Sequence, residues 1–369
     1  MFIYSIPIFI SLFFIFIQEI KSKRSFKIEY FLLFLLLGVI GGIRFQTGDD
    51  WKGYQDFFEY IDVSQNFLEA YEHSLLYFRF EIGYFALNYF FKMIGFNLYV
   101  IFIISSLFCA LSVYKFTSTI NCNRFHIAIV YISFSFILLH FNEVRQSIAI
   151  GFFLLGFDYY LRKKQIILSV LISSIGLFFQ VSEILYMFVA FIVIVFHSNS
   201  KFNIISIIFM ASMLVFFKFF NFLNFLAGIS IESIATKANL YANDELEAGD
   251  GQKYFIIYLI ISYAFLVKYS KNLIEYKLKI ISNYSSLSVL LTIVIILSFP
   301  NNYVMFNRVY VLSSIFLAIG CSIAIQNNKN KITQLMLLLN IVISITFYIR
   351  ILLLNSKAYF PYQTIINLI

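Results

Sequence analysis

The chain has 369 residues, 61% of them hydrophobic and only 12% charged, with a net charge of +8. A soluble domain of this size needs far more polar surface to cover its core, so the composition excludes an ordinary globular protein and points to an integral membrane one. Phenylalanine and tyrosine are abundant, at 48 and 26 residues, as suits rings set against lipid and its interfaces. The cysteines, Cys109, Cys122 and Cys321, form no CxxC or CxxH pattern. They read as small buried hydrophobes, and no metal and no cofactor is expected.

A helix needs about 20 apolar residues to cross roughly 30 Å of hydrocarbon. In chain order the qualifying segments are residues 2–20, 28–44, 97–115, 125–141, 145–161, 165–180, 182–197, 202–220, 254–270, 284–300, 307–326 and 332–354. The expected fold is therefore all-α: a polytopic integral membrane protein of about 12 transmembrane helices, within a range of roughly 10 to 14, forming one integral domain over 1–369. The first segment is apolar from Phe2 and lacks a basic leader, so it reads as a spanning helix and not a cleaved signal. Segments 145–161, 165–180 and 182–197 are short and closely coupled, which leaves a re-entrant reading open for one of them.

Placing Lys21–Lys27 in the cytoplasm and alternating from there sends most of the 27 basic residues, but few of the 19 acidic ones, to the inner side. This is the charge bias that sets helix orientation. It puts both termini outside and accounts for the basic balance without a nucleic-acid partner. Two outer loops are large, 45–96 and 221–253. The first contains DDWKGYQDFFEYI and FEIGYFALNYFFKMIGF, with aromatic residues at helical spacing and polar ones between. Both predict amphipathic helices lying in the outer interface. The second carries the acidic, glycine-containing stretch YANDELEAGDGQ.

Four arginines, Arg44, Arg145, Arg308 and Arg350, fall at the outer ends of apolar runs. A guanidinium near lipid is costly, so it faces a cavity or a partner, and its fork matches phosphate oxygens. Snorkelling to lipid phosphate is the plainer alternative for each. Arg44 is followed by Gly48-Asp49-Asp50; Asp49 and Asp50 suit pairing with an arginine, binding of sugar hydroxyls, or capping of the next helix. Glu143 and Arg145 lie together between two apolar runs. Residues two apart do not share a helix face, so Glu143 need not simply neutralise Arg145 and suits a general base on a sugar hydroxyl, with His140 and Asp50 as alternatives; a short polar turn is the plainer reading of the stretch. Asn307 and Arg308 follow the helix-breaking Pro300 and offer hydrogen-bonding groups, or simply a polar turn. Gln180 and Glu183 sit at a tight outer connection.

At these residues the sequence resembles the EpsG/Wzy-type family of oligosaccharide repeat-unit polymerases. GIRFQTGDDWKGYQDFF is similar to its R-x-x-x-G-x-D-x-x-x-Y-x-x-x-F signature, with Arg44, Gly48, Asp50, Tyr54 and Phe58 in register. FEIGYFALNYFFKMIG resembles its E-x-G-Y-x-x-L-N segment at Glu81, Gly83, Tyr84, Leu87 and Asn88. NEVRQSIA resembles its R-Q-x-I-A helix at Arg145, Gln146, Ile148 and Ala149, and Tyr359-Phe360-Pro361-Tyr362 its terminal aromatic-Pro-aromatic. The chain departs from the family's F-H-x-S-A at Phe179–Glu183, where Gln180 stands in place of the histidine.

The resemblance implies a glycosyltransferase: a growing glycan on undecaprenyl pyrophosphate passes to a lipid-linked repeat unit at the outer face of a bacterial inner membrane. Pyrophosphate oxygens and sugar hydroxyls would then meet Arg44, Asp49, Tyr54, Glu81, Arg145, Gln146, Gln180, Glu183, Asn307 and Arg308. Membrane lipid and a chain-length regulator protein are the further partners expected. An O-antigen ligase, or another lipid-linked glycan transferase, would share the arginines. A flippase would need charges at the midplane and pseudo-repeats, and neither is visible.

Overall fold

The computed structural model describes residues 2–20, 26–120, 122–197, 202–219, 251–270, 273, 275–299, 303–328, 330–354 and 356–365. Its architecture is all-α. Helices α1 (Phe2–Ile20), α2 (Lys27–Gly42), α3 (Trp51–Tyr60), α4 (Phe67–Leu75), α5 (Ile82–Met93), α6 (Leu98–Ser118), α7 (Arg124–Tyr131), α8 (Val144–Lys163), α9 (Ile166–Ser174) and α10 (Glu183–Phe196) are followed by α11 (Phe202–Phe219), α12 (Gly251–Ser270), α13 (Tyr276–Ser298), α14 (Tyr303–Asn327), α15 (Lys331–Leu354) and the single turn α16 (Ser356–Tyr359). Two short strands, β1 (Arg44–Phe45) and β2 (Gln363–Thr364), pair antiparallel with Arg44 opposite Thr364.

A helix stands at each expected span. By length and composition four of the described helices can cross a membrane: Leu98–Ser118, Tyr276–Ser298, Asn307–Asn327 and Lys331–Leu354. Three segments differ from expectation. The helix expected over 284–300 begins at Tyr276, so Lys277 and Lys279 lie on it. The 165–180 segment winds as α9 and then as a 3₁₀ turn over Ile175–Phe178. The 125–141 segment is α-helical only to Tyr131; beyond it Ile132–Phe136 and Leu138–Asn142 are π-wound, and the Glu143 N–H donates to Leu138 O at 2.7 Å. Such winding is rare and concentrates at functional sites. The outer loop expected at 221–253 lies almost entirely outside the described residues, as do Pro300, Asn301 and Asn302.

The chain divides into two compact units, Met1–Met187 with Gln334–Ile369, and Phe188–Thr333. In the second, α13 and α14 approach closely because small residues face each other: a Cβ on Gly320 would meet Ser285 Cβ at 2.6 Å, and Thr292 donates to Ser313 at 2.8 Å. Cys109, Cys122 and Cys321 are buried.

In the first unit, glycines bring α2 against α6. A Cβ on Gly42 would lie 2.7 Å from Ile103 Cα, and one on Gly41 would lie 2.6 Å from both His140 Cβ and Ser106 Oγ. The 45–96 region holds three helices where two were expected. The additional one, α4, is capped by Asn66, whose side chain accepts from Glu69 N at 3.0 Å. The aromatic stripes of α3 and α5 close on each other: Trp51, Tyr54, Phe57 and Phe58 pack with Tyr84, Phe85 and Tyr89, backed by Ile101 and Phe102 of α6 and by Val144 and Ile148 of α8. Phe57 stacks on Tyr84 at 5.8 Å and meets Phe80 edge-on at 4.5 Å. Buried rings of this size supply most of the apolar burial that holds three short helices together.

Lys92 ties the α3 end down. Its Nζ donates to the carbonyls of Phe58, Glu59 and Ile61 at 2.8, 2.8 and 2.6 Å, which uses all three ammonium protons on the orphan carbonyls of a helix C-terminus. Burial pulls its pKa below the usual lysine value. Lys92→Met is expected to cost about 2 kcal/mol, because hydrogen bonds from a charged donor are lost and the carbonyls stay partly buried. A thermal melt in detergent would show it as a lower Tm.

Candidate functional site

The loop after α2 starts from a backbone constraint. Gln46 has φ 45° and Gly48 has φ 109°, the left-handed region where glycine is at ease. A Cβ on Gly48 would fall 2.4 Å from Phe141 O and 3.2 Å from Arg44 Nη1. The loop therefore wraps directly over the Arg44 guanidinium.

Arg44 is fully buried, and Nε, Nη1 and Nη2 have no hydrogen-bond partner among the described residues. The group is held between rings, 4.4 Å from the centroid of Phe102 and 5.5 Å from that of Phe141. Tyr54, Tyr84, Tyr359 and Asp50 lie within its electrostatic reach. A buried guanidinium normally has its protons taken up, so this one is built for an acceptor that arrives from outside.

Arg145, near the start of α8, forms an ion pair with Glu81, which stands at the N-cap of α5. It also donates to the Tyr54 hydroxyl and lies 4.2 Å from the Phe80 ring centroid. Burial raises the Tyr54 pKa, so the phenol stays neutral and hydrogen-bonding. Tyr54 and Tyr84 lie within reach of both Arg44 and Arg145. Arg145 Nε and Trp51 Nε1 are buried without a partner as well. Together with Arg44, these two groups supply N–H donors with no partner among the described residues, which suits a ligand rich in acceptors.

Across the loop a closed network forms. Asn142 Oδ1 accepts from Asp49 N at 3.1 Å, and Asn142 Nδ2 donates to Asp49 Oδ2 at 3.1 Å and to Tyr359 Oη at 2.9 Å. Tyr359 has one proton, and two acceptors stand within its reach, Asn142 Oδ1 at 3.1 Å and Asp49 Oδ2 at 3.3 Å. Burial, then the Asp49 carboxylate, push the Tyr359 pKa up and keep that proton in place.

A family model, that of the EpsG family, matches residues 27–364 of the chain. The chain belongs to the EpsG family. No curated protein and no solved structure matches it.

The remaining sequence-selected residues of this EpsG-family chain are placed as follows. Asp50 is exposed at the N-cap of α3 but makes no side-chain capping bond there. Glu143 is half-buried between the π-wound segment and α8, next to Asn142. His140 is buried, and both ring nitrogens are engaged: Nδ1 with Ser106 Oγ and Nε2 with Tyr131 Oη, each at 2.6 Å. Ser106 gives its own proton to Gly38 O at 2.8 Å, so Nδ1 carries the histidine proton and Tyr131 donates to Nε2. Gln146 is buried and donates to the Tyr186 hydroxyl at 3.0 Å. Gln180 and Glu183 are buried. Both Glu183 oxygens lack a hydrogen-bond partner among the described residues and press on Gly176, where a Cβ would fall 1.7 Å from Oε2. Arg308 and Asn307 belong to the second unit, on α14. Arg350 is exposed on α15.

In the first unit the fold thus unites Arg44, Asp49, Asp50, Tyr54, Glu81, Glu143 and Arg145. It also adds the Tyr359 hydroxyl, which sequence reading notes only as part of YFPY, and residues that motif reading passed over: Asn142 and the rings of Phe80, Phe102 and Phe141. Asn142 was detectable as the neighbour of Glu143 in NEVRQ. The rings carry no local signal, because phenylalanine is everywhere in this chain.

Proposed function

We propose that this membrane protein is a polymerase of lipid-linked oligosaccharide repeat units. It transfers a growing glycan from undecaprenyl pyrophosphate to a new lipid-linked unit at the outer face of a bacterial inner membrane. About 12 spans with both termini outside, as the charge bias suggests, set the site at that face. The observation that carries the reading is the buried, unpartnered Arg44 guanidinium, seconded by Arg145 across Tyr54. A diphosphate leaving group has acceptor oxygens and developing negative charge, and fixed N–H donors in a dry setting stabilise both.

On this reading the C1–O bond to the lipid diphosphate breaks, and an acceptor-sugar hydroxyl forms the new glycosidic bond after losing its proton to a carboxylate. Glu143 and Asp50 are the candidate carboxylates for that role; His140 has both ring nitrogens engaged by Ser106 and Tyr131. Exposed Asp50 and the neutral Tyr54 offer the acceptor and the phenol that bind sugar hydroxyls. A chain-length regulator is the protein partner that such a reaction calls for.

The deciding experiment is a clean deletion with glycan size profiling. Loss of long chains with build-up of single repeats supports a polymerase; build-up of polymer on the carrier lipid would instead mean a ligase. Glu143→Gln keeps shape and hydrogen bonding but not basicity, and should reduce polymer by at least about 100-fold. A normal ladder from Glu143→Gln alongside none from Asp50→Asn would move the base to Asp50.

A further inference from the structure

Arg44 is sealed from solvent although its nitrogens have no hydrogen-bond partner among the described residues, so an arriving anion needs a cover to move, and backbone lies against the guanidinium. That backbone is the 46–50 turn, which touches the guanidinium at Gly48 and holds its left-handed conformation at Gln46 and Gly48. The turn is fastened from two sides. From the π-wound segment, Asn142 brackets Asp49 through its backbone N–H and its carboxylate. From the C-terminal strap, residues 356–365, the Tyr359 hydroxyl reaches Asp49 Oδ2 at 3.3 Å and Asn142 Oδ1 at 3.1 Å, two acceptors that share its one proton, and Ala358 O accepts from Gly48 N at 2.9 Å.

The strap itself is anchored elsewhere. Tyr4 Oη donates to Tyr359 O at 3.0 Å, Tyr362 Oη to Ile40 O at 2.5 Å, and Ile365 N to Ile43 O at 2.9 Å. The strap and the π-wound segment are therefore fixed frames, and the turn is the lighter part between them. Asp49 is exposed, so water competes for its bonds, a mark of a locally weak contact.

We propose that Asn142 and Tyr359 are positioning residues of a latch: through Asp49 they hold the 46–50 turn shut over Arg44, and the latch opens to admit a phosphate-bearing headgroup. This rests on the reading of Arg44 as the anion-holding group. The exchange is built into one proton. Tyr359 lies within electrostatic reach of both Asp49 and Arg44. Its hydroxyl serves one acceptor at a time. Released from Asp49, it is available to donate to a phosphate oxygen on Arg44, so closure and ligand binding compete for the same group.

The test uses the full chain in detergent. With Arg44→Cys, a charged sulfonatoethyl thiosulfonate reads access to position 44, because the native cysteines are buried. Adding Tyr359→Phe or Asp49→Ala should speed labelling roughly tenfold, the effect of losing one hydrogen bond to a charged group. Should the cysteine variant misfold, amide exchange with Arg44 intact serves instead: Tyr359→Phe should accelerate exchange at Gly48 and Asp49 and leave α3 unchanged. Farnesyl diphosphate should associate faster with Tyr359→Phe than with wild type, whereas mere structural damage would slow it. Unchanged labelling and exchange would overturn the latch, even if the diphosphate binds. Diphosphate binding that survives Arg44→Ala would overturn the anion reading and leave the latch data standing.

Discussion

Arg44→Met is expected to abolish polymer while leaving the protein as stable as wild type, or more so. The guanidinium is fully buried, with no hydrogen-bond partner on any nitrogen among the described residues. Its stabilisation comes from the Phe102 and Phe141 rings, on the order of 2 kcal/mol for a desolvated cation–π contact. Burying the ion costs several kcal/mol. Methionine has similar length and packs well among rings, so the substitution removes the cost and keeps the contact. A glycan ladder reduced to single repeats, with an unchanged or higher Tm in detergent, is the expected pair of results. A fall in Tm of many degrees would make Arg44 a structural residue and remove the main support for an anion site. Arg44→Lys should also lose most of the polymer, since an ammonium is a point charge and cannot present the fork that matches a diphosphate.

Arg145→Met should behave in the opposite way. Its loss leaves Glu81, at the N-cap of α5, as a carboxylate buried without its counter-ion. Breaking one side of such a pair costs about 3–5 kcal/mol. The single variant should therefore unfold at a lower temperature and make no polymer. Adding Glu81→Gln removes the orphaned charge, and the double variant should recover most of the lost stability while remaining inactive. The double-mutant cycle separates the two roles: a large coupling energy in Tm, and none in activity, because activity is already absent without Arg145. Polymer restored in the double variant would mean that Arg145 only neutralises Glu81. The two arginines look alike in sequence, each at the end of an apolar run, and they differ in what surrounds them. One has a built-in partner and the other does not.

Lipid solvation explains why so much of the helix plan was legible from sequence alone. A spanning segment must satisfy its own backbone, so each apolar run of sufficient length becomes a helix, and the observed helices stand where those runs lie. The exceptions mark places where packing overrides that rule. The π-wound stretch before Asn142 has ordinary helical residues and reads as α-helix; only its fit against α2 and α6, where Gly41 meets His140 and Ser106, shows why it widens. The aromatic stripes of α3 and α5 had a helical period but no stated occupant, and the fold makes them each other's partner.

Sequence by itself determined the all-α membrane class, the family, and the motif positions Arg44, Asp49, Asp50, Tyr54, Glu81, Glu143 and Arg145, because these rest on composition and on short local patterns. Tertiary structure alone decided that Arg44 is unpartnered and Arg145 paired, that His140 spends both nitrogens on Ser106 and Tyr131, and that the chain's end returns to grip Asp49 through Tyr359. The reason is physical. Hydrogen-bond satisfaction and burial depend on groups hundreds of residues apart, and no local pattern records which of them meet.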